Sequence, residues 1–216
     1  MKLVNRALAL IALMFISVLA AAQSHAPNDV PERPDPGSVT GSKYTNKYFG
    51  FTLTIPSGWN VQDADFKKAL SEKGKEIVTS DDPGKKDQIE KAVDQTLNLL
   101  TVTELPPGSA GSNALLICGA ERPPGMKTDA DYMLGVKTTL KYSQVPVTFE
   151  RDVYYEEVGG VMFSVLDLTV NYSGVIVRQK YYAHVVRGYA LFFISIYQTP
   201  QQLSTLSQMM KSVTLQ

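Results

Sequence analysis

The chain has 216 residues, 44% apolar and 19% charged, a balance that suits one globular core and excludes a wholly disordered chain. Its 21 basic and 21 acidic residues cancel, which argues against nucleic acid or a strongly anionic surface as partner. A single cysteine excludes an intramolecular disulfide, and with two histidines it cannot build a zinc site of the usual spacing.

In chain order the first signal is a leader. Lys2 and Arg6 are basic, Ala7 to Leu19 carry no charge, and Ala20-Ala21-Ala22 supply the small residues a signal peptidase needs. Residues 1–22 are expected to be a signal peptide cleaved after Ala22, which makes the product an exported, periplasmic or secreted protein. An uncleaved anchor is the alternative, but as a helix Ala7 to Ala22 spans about 24 Å, short of the roughly 30 Å hydrocarbon core. No stable membrane anchor is expected after cleavage. The new terminus would read Gln23-Ser24-His25, where an amine, two amides and an imidazole suit square-planar Cu(II) or Ni(II). An incidental histidine in a tail is the simpler reading, and no metal ligand or cofactor is assigned. Residues 23–42 hold four prolines (Pro27, Pro31, Pro34, Pro36) and no aromatic residue, as expected of a disordered, proline-rich tail or linker. The folded domain is expected over residues 43–216, with all eleven tyrosines and the one tryptophan.

Phe51, Leu53 and Ile55 alternate with Thr52 and Thr54, the period of a half-buried strand, between turns at Gly50 and Pro56-Ser57-Gly58. From Asp63, a residue able to cap, Phe66, Ala69 and Leu70 take up helical spacing. Ile89, Ala92, Val93 and Leu97 mark a second helix, after the break at Asp81 to Gly84. Leu99 to Leu105 and Ala114 to Ala120 read as strands joined by the loop Pro106 to Ser112. A third helix starts at Thr128, with Asp131 completing an approximate capping box and Met133, Val136 and Leu140 as its buried stripe. A meander follows: Val147 to Val158 (broken near Asp152), Val161 to Val170, Val175 to Arg187 and Tyr189 to Gln198. Turns at Gly159-Gly160, Asn171 to Gly174 and Arg187-Gly188 are short enough to make these neighbours antiparallel. Thr199, Pro200 and Gln202 open a last helix with Leu203, Leu206, Met210 and Val213 on its apolar face.

Ala190, Phe192, Ile194 and Ile196 line one face of the last strand, and Leu191 and Phe193 the other, so both faces must be covered. The expected class is α+β, a three-layer α/β/α sandwich with a mostly antiparallel sheet. The stretch Phe51 to Asn60 (FTLTIPSGWN) resembles the opening signature of the PsbP-like family, relatives of an extrinsic subunit of photosystem II. The likeness recurs at Asp131 to Leu140 and from Val161 to Val213. It implies the same sandwich and a non-catalytic binding or assembly role, carried here behind a leader of bacterial secretory type.

Signals for chemistry are sparse. The Asp63 to Asp65 and Asp129 to Asp131 triplets sit at helix starts, where carboxylates cap amides and suit the dipole. Glu156 and Glu157 are adjacent on a strand and point to opposite faces. Cys118 is expected to be a buried small hydrophobe, and Pro106 to Ser112 a plain connection. Asn171-Tyr172-Ser173 matches a glycosylation sequon, but asparagine is also a turn residue. No catalytic, cofactor or metal residue is therefore assigned. The expected function is an exported non-enzymatic binding or assembly module whose partner is another envelope or secreted protein. A small-ligand or metal carrier and an envelope hydrolase are the alternatives. If the partner docks on the sheet, the strand Val175 to Arg187 is the expected surface. Val175, Val177, Tyr181, Ala183 and Val185 face inward there, and Arg178, Lys180, Tyr182 and His184 share the other side.

Overall fold

The computed structural model describes residues 34–78, 95–141, 146–172 and 174–215. The leader, the Gln23-Ser24-His25 triplet, the tail before Pro34 and the helix expected around Ile89 to Val93 lie outside the described residues. In chain order the described elements are β1 (Ser38–Thr40), β2 (Lys43–Asn46), β3 (Phe51–Thr54), β4 (Asn60–Val61), α1 (Ala64–Val78), β5 (Leu97–Thr103), β6 (Leu115–Glu121), α2 (Asp129–Lys141), β7 (Val147–Phe149), β8 (Tyr154–Val158), β9 (Val161–Tyr172), β10 (Val175–Val186), β11 (Tyr189–Tyr197), α3 (Pro200–Lys211) and β12 (Thr214–Leu215). Leu97, expected in a helix, instead opens β5, where it pairs with Ala120 of β6.

Local chemistry sets the element ends. The Asp63 carboxylate accepts the Phe66 amide at 2.8 Å and caps α1. At α2 the expected box is reciprocal: Thr128 Oγ1 accepts the Asp131 amide, and Asp131 Oδ2 accepts the Thr128 amide. Thr199 and Gln202 do the same for α3, with Pro200 at its first position. Between β8 and β9, Gly159 and Gly160 have φ of +60° and +83°, the left-handed pair that a two-residue hairpin turn requires.

The large sheet runs β4-β5-β6-β11-β10-β9, and its far edge is shared by β7 and β8, which both pair with β9. A second sheet runs β1-β2-β3-β12. Every pairing among the described strands is antiparallel. On one face of the large sheet, Ile117, Leu166, Leu168, Tyr181, Phe192 and Ile194 pack against Tyr132, Met133, Val136 and Leu140 of α2 and Leu70 of α1. On the other, Cys118, Val165, Tyr182 and Phe193 pack against Phe51 and Leu53 of β3 and Leu206, Met209 and Met210 of α3. The α+β class is as expected. This second side, however, is covered by a small sheet together with a helix, where helices alone were expected.

The chain enters the fold ahead of Lys43, the boundary expected from composition. Ser38 to Thr40 pair with Lys43 to Thr45 as β1, and Asp35 is tied down before it. Asp35 accepts the Gly37 amide on Oδ1 and the Tyr48 amide on Oδ2, each at 2.7 Å, while Asn46 Nδ2 donates to the Asp35 carbonyl. Side-chain hydrogen bonds thus order a segment with little apolar surface to bury. Asp35→Ala is expected to cost about 1–2 kcal/mol through the two orphaned amides. Urea denaturation of the variant checks this, and an unchanged midpoint would mean the segment contributes nothing.

Candidate functional site

Odd-numbered residues of β9, even-numbered residues of β10 and odd-numbered residues of β11 share the face under β3 and α3. Paired residues make its rows. Val165, Tyr182 and Phe193 lie opposite one another and are buried. One row on come Asp167, Lys180 and Ser195, then Thr169, Arg178 and Tyr197. Halfway along the sheet this face turns from sealed to charged.

The charged half is built around the break in the edge strand. Residues 150–153 separate β7 from β8, and the bend carries Arg151 back over the sheet. Its guanidinium lies 3.3 Å from the centroid of the Tyr154 ring, and its Nε and Nη2 donate to Asp167 Oδ2 at 3.1 and 2.9 Å. The Tyr154 hydroxyl lies 2.9 Å from that same oxygen and 3.0 Å from Glu156 Oε1. Lys180 Nζ donates to Glu156 Oε1 at 2.6 Å and sits 5.6 Å and 5.2 Å from the rings of Tyr154 and Tyr182. Thr169 Oγ1 is bonded to Glu150 Oε1.

Electrostatics follow from this pairing. The Asp167 hydrogen bond holds the Arg151 guanidinium above its usual range. Burial, then the Asp167 and Glu156 carboxylates, push the Tyr154 phenol well up. Burial and the same two carboxylates do so for Tyr182, and burial with Asp167 for Tyr197. Three phenols are thus kept as neutral hydrogen-bonding groups. Asp167 and Glu156 are each matched by a cation and Glu150 by the Thr169 hydroxyl, an arrangement for recognition by hydrogen bonds and flat ring or guanidinium surfaces.

The expected partner strand is corrected in several respects. Arg178 is exposed, and among the described residues it has no carboxylate partner. Lys180 is not a second free cation: its side chain is 16% exposed and committed to Glu156. Tyr182 is buried, and His184 is drawn aside. On the other side Val177, Tyr181 and Ala183 are buried as expected, whereas Val175 is 36% exposed at the hairpin end.

His184 belongs to a separate feature. The pairing of β9 with β10 ends at Ser164 and Ala183, while β8 runs along the opposite edge of β9 from Val161 to Val165. Asp129 at the start of α2 fills the split: its Oδ1 accepts the Val185 amide at 2.7 Å, and its Oδ2 lies 3.1 Å from His184 Nδ1. Burial works to raise this carboxyl, but the two hydrogen bonds outweigh it and hold it below the usual carboxylate range. Asp129 is therefore more than a helix-start residue; it satisfies a strand amide that β9 has left.

The remaining positions are structural. Cys118 is fully buried, and burial pushes its thiol well up. The Pro106 to Ser112 loop is closed by Asn113, which bonds the Leu105 amide and carbonyl, and is pinned to α3 by Gln202 Nε2 at Ser112. Asn171 Oδ1 accepts the Gly174 amide, which is a turn role. Among the described residues no group of three or more His, Cys, Asp and Glu is placed to hold a metal ion, and no helix is long and apolar enough to cross a membrane.

Sequence reasoning missed Arg151, Tyr154 and Asp167. A signal for Asp167 was present, since it is the one acid in the strand Val161–Tyr172, and counting back from the Asn171 to Gly174 turn sets it opposite Lys180.

No family model matches the chain, and no curated protein matches it. Solved structures give likenesses at low identity. LpqN of Mycobacterium tuberculosis, involved in cell envelope biogenesis, is 11% identical with a TM-score of 0.48 over 84% of this chain and 86% of that one. The cyanobacterial PsbP (CyanoP) of Synechocystis sp. PCC 6803 is 13% identical with a TM-score of 0.46, over 83% of this chain and 96% of that one. PA94 of Pseudomonas aeruginosa, a protein of unknown function, is 17% identical with a TM-score of 0.42 over 52% and 78% of the two chains.

Proposed function

We propose that the chain is an exported, non-enzymatic binding or assembly module of PsbP-like kind, with residues 1–22 as its removed leader. Its partner is another envelope or secreted protein, docked on the charged half of the sheet. The reading is carried by one observation, the change along a single sheet face from the sealed row Val165, Tyr182, Phe193 to the row Thr169, Arg178, Tyr197. Arginine and tyrosine are the side chains that concentrate binding energy at interfaces. Here Arg151, Arg178, Tyr154 and Tyr197 stand on strands and a braced bend, so little ordering remains to be done on docking. Asp167 and Glu156 are already paired with Arg151 and Lys180, so covering them leaves neither buried alone, and exposed Arg178 is left to meet an acceptor on the partner.

A photoreactive amino acid placed at Arg178 tests this in cells of the native host, with the same probe at exposed Lys68 on α1 as control. The expected result is one discrete cross-linked species from position 178 that position 68 does not give. Identical patterns from the two positions, or none from 178, would remove this face as the partner surface.

A further inference from the structure

The β10–β11 hairpin turns through Arg187 and Gly188, between the paired Val186 and Tyr189. Both turn residues have left-handed backbone, with φ of +52° and +77°. Such turns favour asparagine or glycine at the first position, and among the described residues Arg187 alone carries a side chain at positive φ. Holding an arginine there costs backbone strain, which points to a use for its side chain. Its guanidinium lies 5.2 Å from the centroid of the Tyr48 ring, in the turn between β2 and β3. That of Arg122, just past β6, lies 5.7 Å from the Tyr189 ring, with Nη2 3.8 Å from the point where a Cβ on Gly188 would stand. Tyr48, Phe49 and Tyr189 fill the space between, each pair meeting edge-on at 4.9 to 6.1 Å. Two turns and a strand end thus converge, bringing exposed Arg122 and Arg187 together on a floor of rings, with exposed Lys47 next to Tyr48 in the chain. Asp35, bonded to this turn, has its oxygens on the Gly37 and Tyr48 amides, and Glu121 beside Arg122 is buried, so neither is an exposed carboxylate. The balance of 21 basic and 21 acidic residues over the whole chain does not report this local gathering.

We propose that this end of the molecule docks on an anionic bilayer, with Arg122 and Arg187 meeting lipid phosphates and Tyr48 and Tyr189 at headgroup level. A guanidinium stacked on a ring keeps its edge donors directed outward, and those donors match phosphate oxygens. Half-buried tyrosines suit the headgroup layer, because the ring packs on apolar matter while the hydroxyl stays wet. Rings between the cations make this end a set of tips rather than a groove, which fits a broad charged layer better than an acidic peptide. Arg178 lies nine residues back along the same strand, about 30 Å away, so this end and the charged half of the sheet can be engaged at once.

Flotation of the full chain tests this, with vesicles of equal parts phosphatidylglycerol and phosphatidylcholine set against phosphatidylcholine alone. The readout is the difference between the two, because a segment inserting through apolar residues would raise both alike. The chain should bind the anionic vesicles more tightly, and added salt should cancel the difference. Arg122→Ala and Arg187→Gly should each weaken binding to the anionic vesicles about fivefold, and together about 25-fold. Lys68→Ala, at an exposed position of α1, should leave it unchanged. Glycine adopts the backbone of position 187 without strain, so the thermal midpoint of Arg187→Gly should stay close to that of the wild type. That separates lost binding from lost fold, and exposed Arg122 gives a second, independent reading. Equal binding to the two vesicles, or undiminished binding by the double variant, would overturn the proposal. So would a chain that ignores both vesicles but binds a soluble polyglutamate peptide through Arg187, which would make the occupant an acidic protein segment.

Discussion

Phe193→Ala is expected to lower the free energy of unfolding by about 4 kcal/mol, at the upper end for a buried aromatic truncated to a methyl. Phe193 has no exposed surface and lies between Cys118 of β6 and Tyr182 of β10, in the middle of the large sheet. Its ring meets Phe51 of the small sheet edge-on at 5.5 Å and Phe163 of β9 at 6.0 Å. It is thus the side chain on which one sheet rests on the other. Neighbours held in two sheets cannot collapse onto the space without moving strands, so the cavity term is kept in full. Urea denaturation gives the magnitude, and a loss below about 1.5 kcal/mol would show that the sheets close over the gap. Phe193→Leu should restore part of the loss, because it refills part of the volume.

Gly119→Ala is expected to cost about 3 kcal/mol although it adds a single methyl group, because it overpacks a filled core. A Cβ at this position would come within 2.4 Å of Phe192 Cζ and 2.8 Å of the Leu97 carbonyl oxygen. Phe192 is itself buried and stacked at 12° on Tyr132 of α2, so its ring has no free direction to swing. The carbonyl belongs to β5 beside the irregularity between Asn98 and Leu100, and shifting it disturbs that pairing. Relief comes only by displacing α2 or β5. Thermal unfolding of the variant checks the size of the effect, and a midpoint within a degree of the wild type would show that Phe192 yields easily.

The long elements were legible because local signals agreed with the tertiary need. β11 is apolar on both faces and is buried on both, and the Thr128 and Thr199 caps sit where hydroxyl, acid and amide spacing put them. The small sheet was not legible beyond β3. Its outer members are the exposed Ser38 to Thr40 and the two residues Thr214 and Leu215, which pair with Thr52 and Phe51 from the far end of the chain. Pairing over that separation leaves no periodic trace in so short a strand. The candidate site was half legible. Arg178, Lys180 and Tyr182 were on one face by alternation, but Arg151 reads as part of a break in the strand until the fold turns it onto Asp167. Asp129 carried a helix-start signal that was correct and incomplete, since the strand amide it serves lies 56 residues away.

The interruption that carries Arg151 also governs how this molecule behaves toward copies of itself. Along β9 the outer edge of the large sheet is not one strand but two, three residues in β7 and five in β8, offset by a bend filled with Glu150, Arg151 and Asp152. A strand from another molecule that seeks a continuous row of amides and carbonyls there runs out of register within five residues and meets charge. A hairpin of two twelve-residue strands, β9 and β10, thus offers no long open edge on that side for another copy to extend.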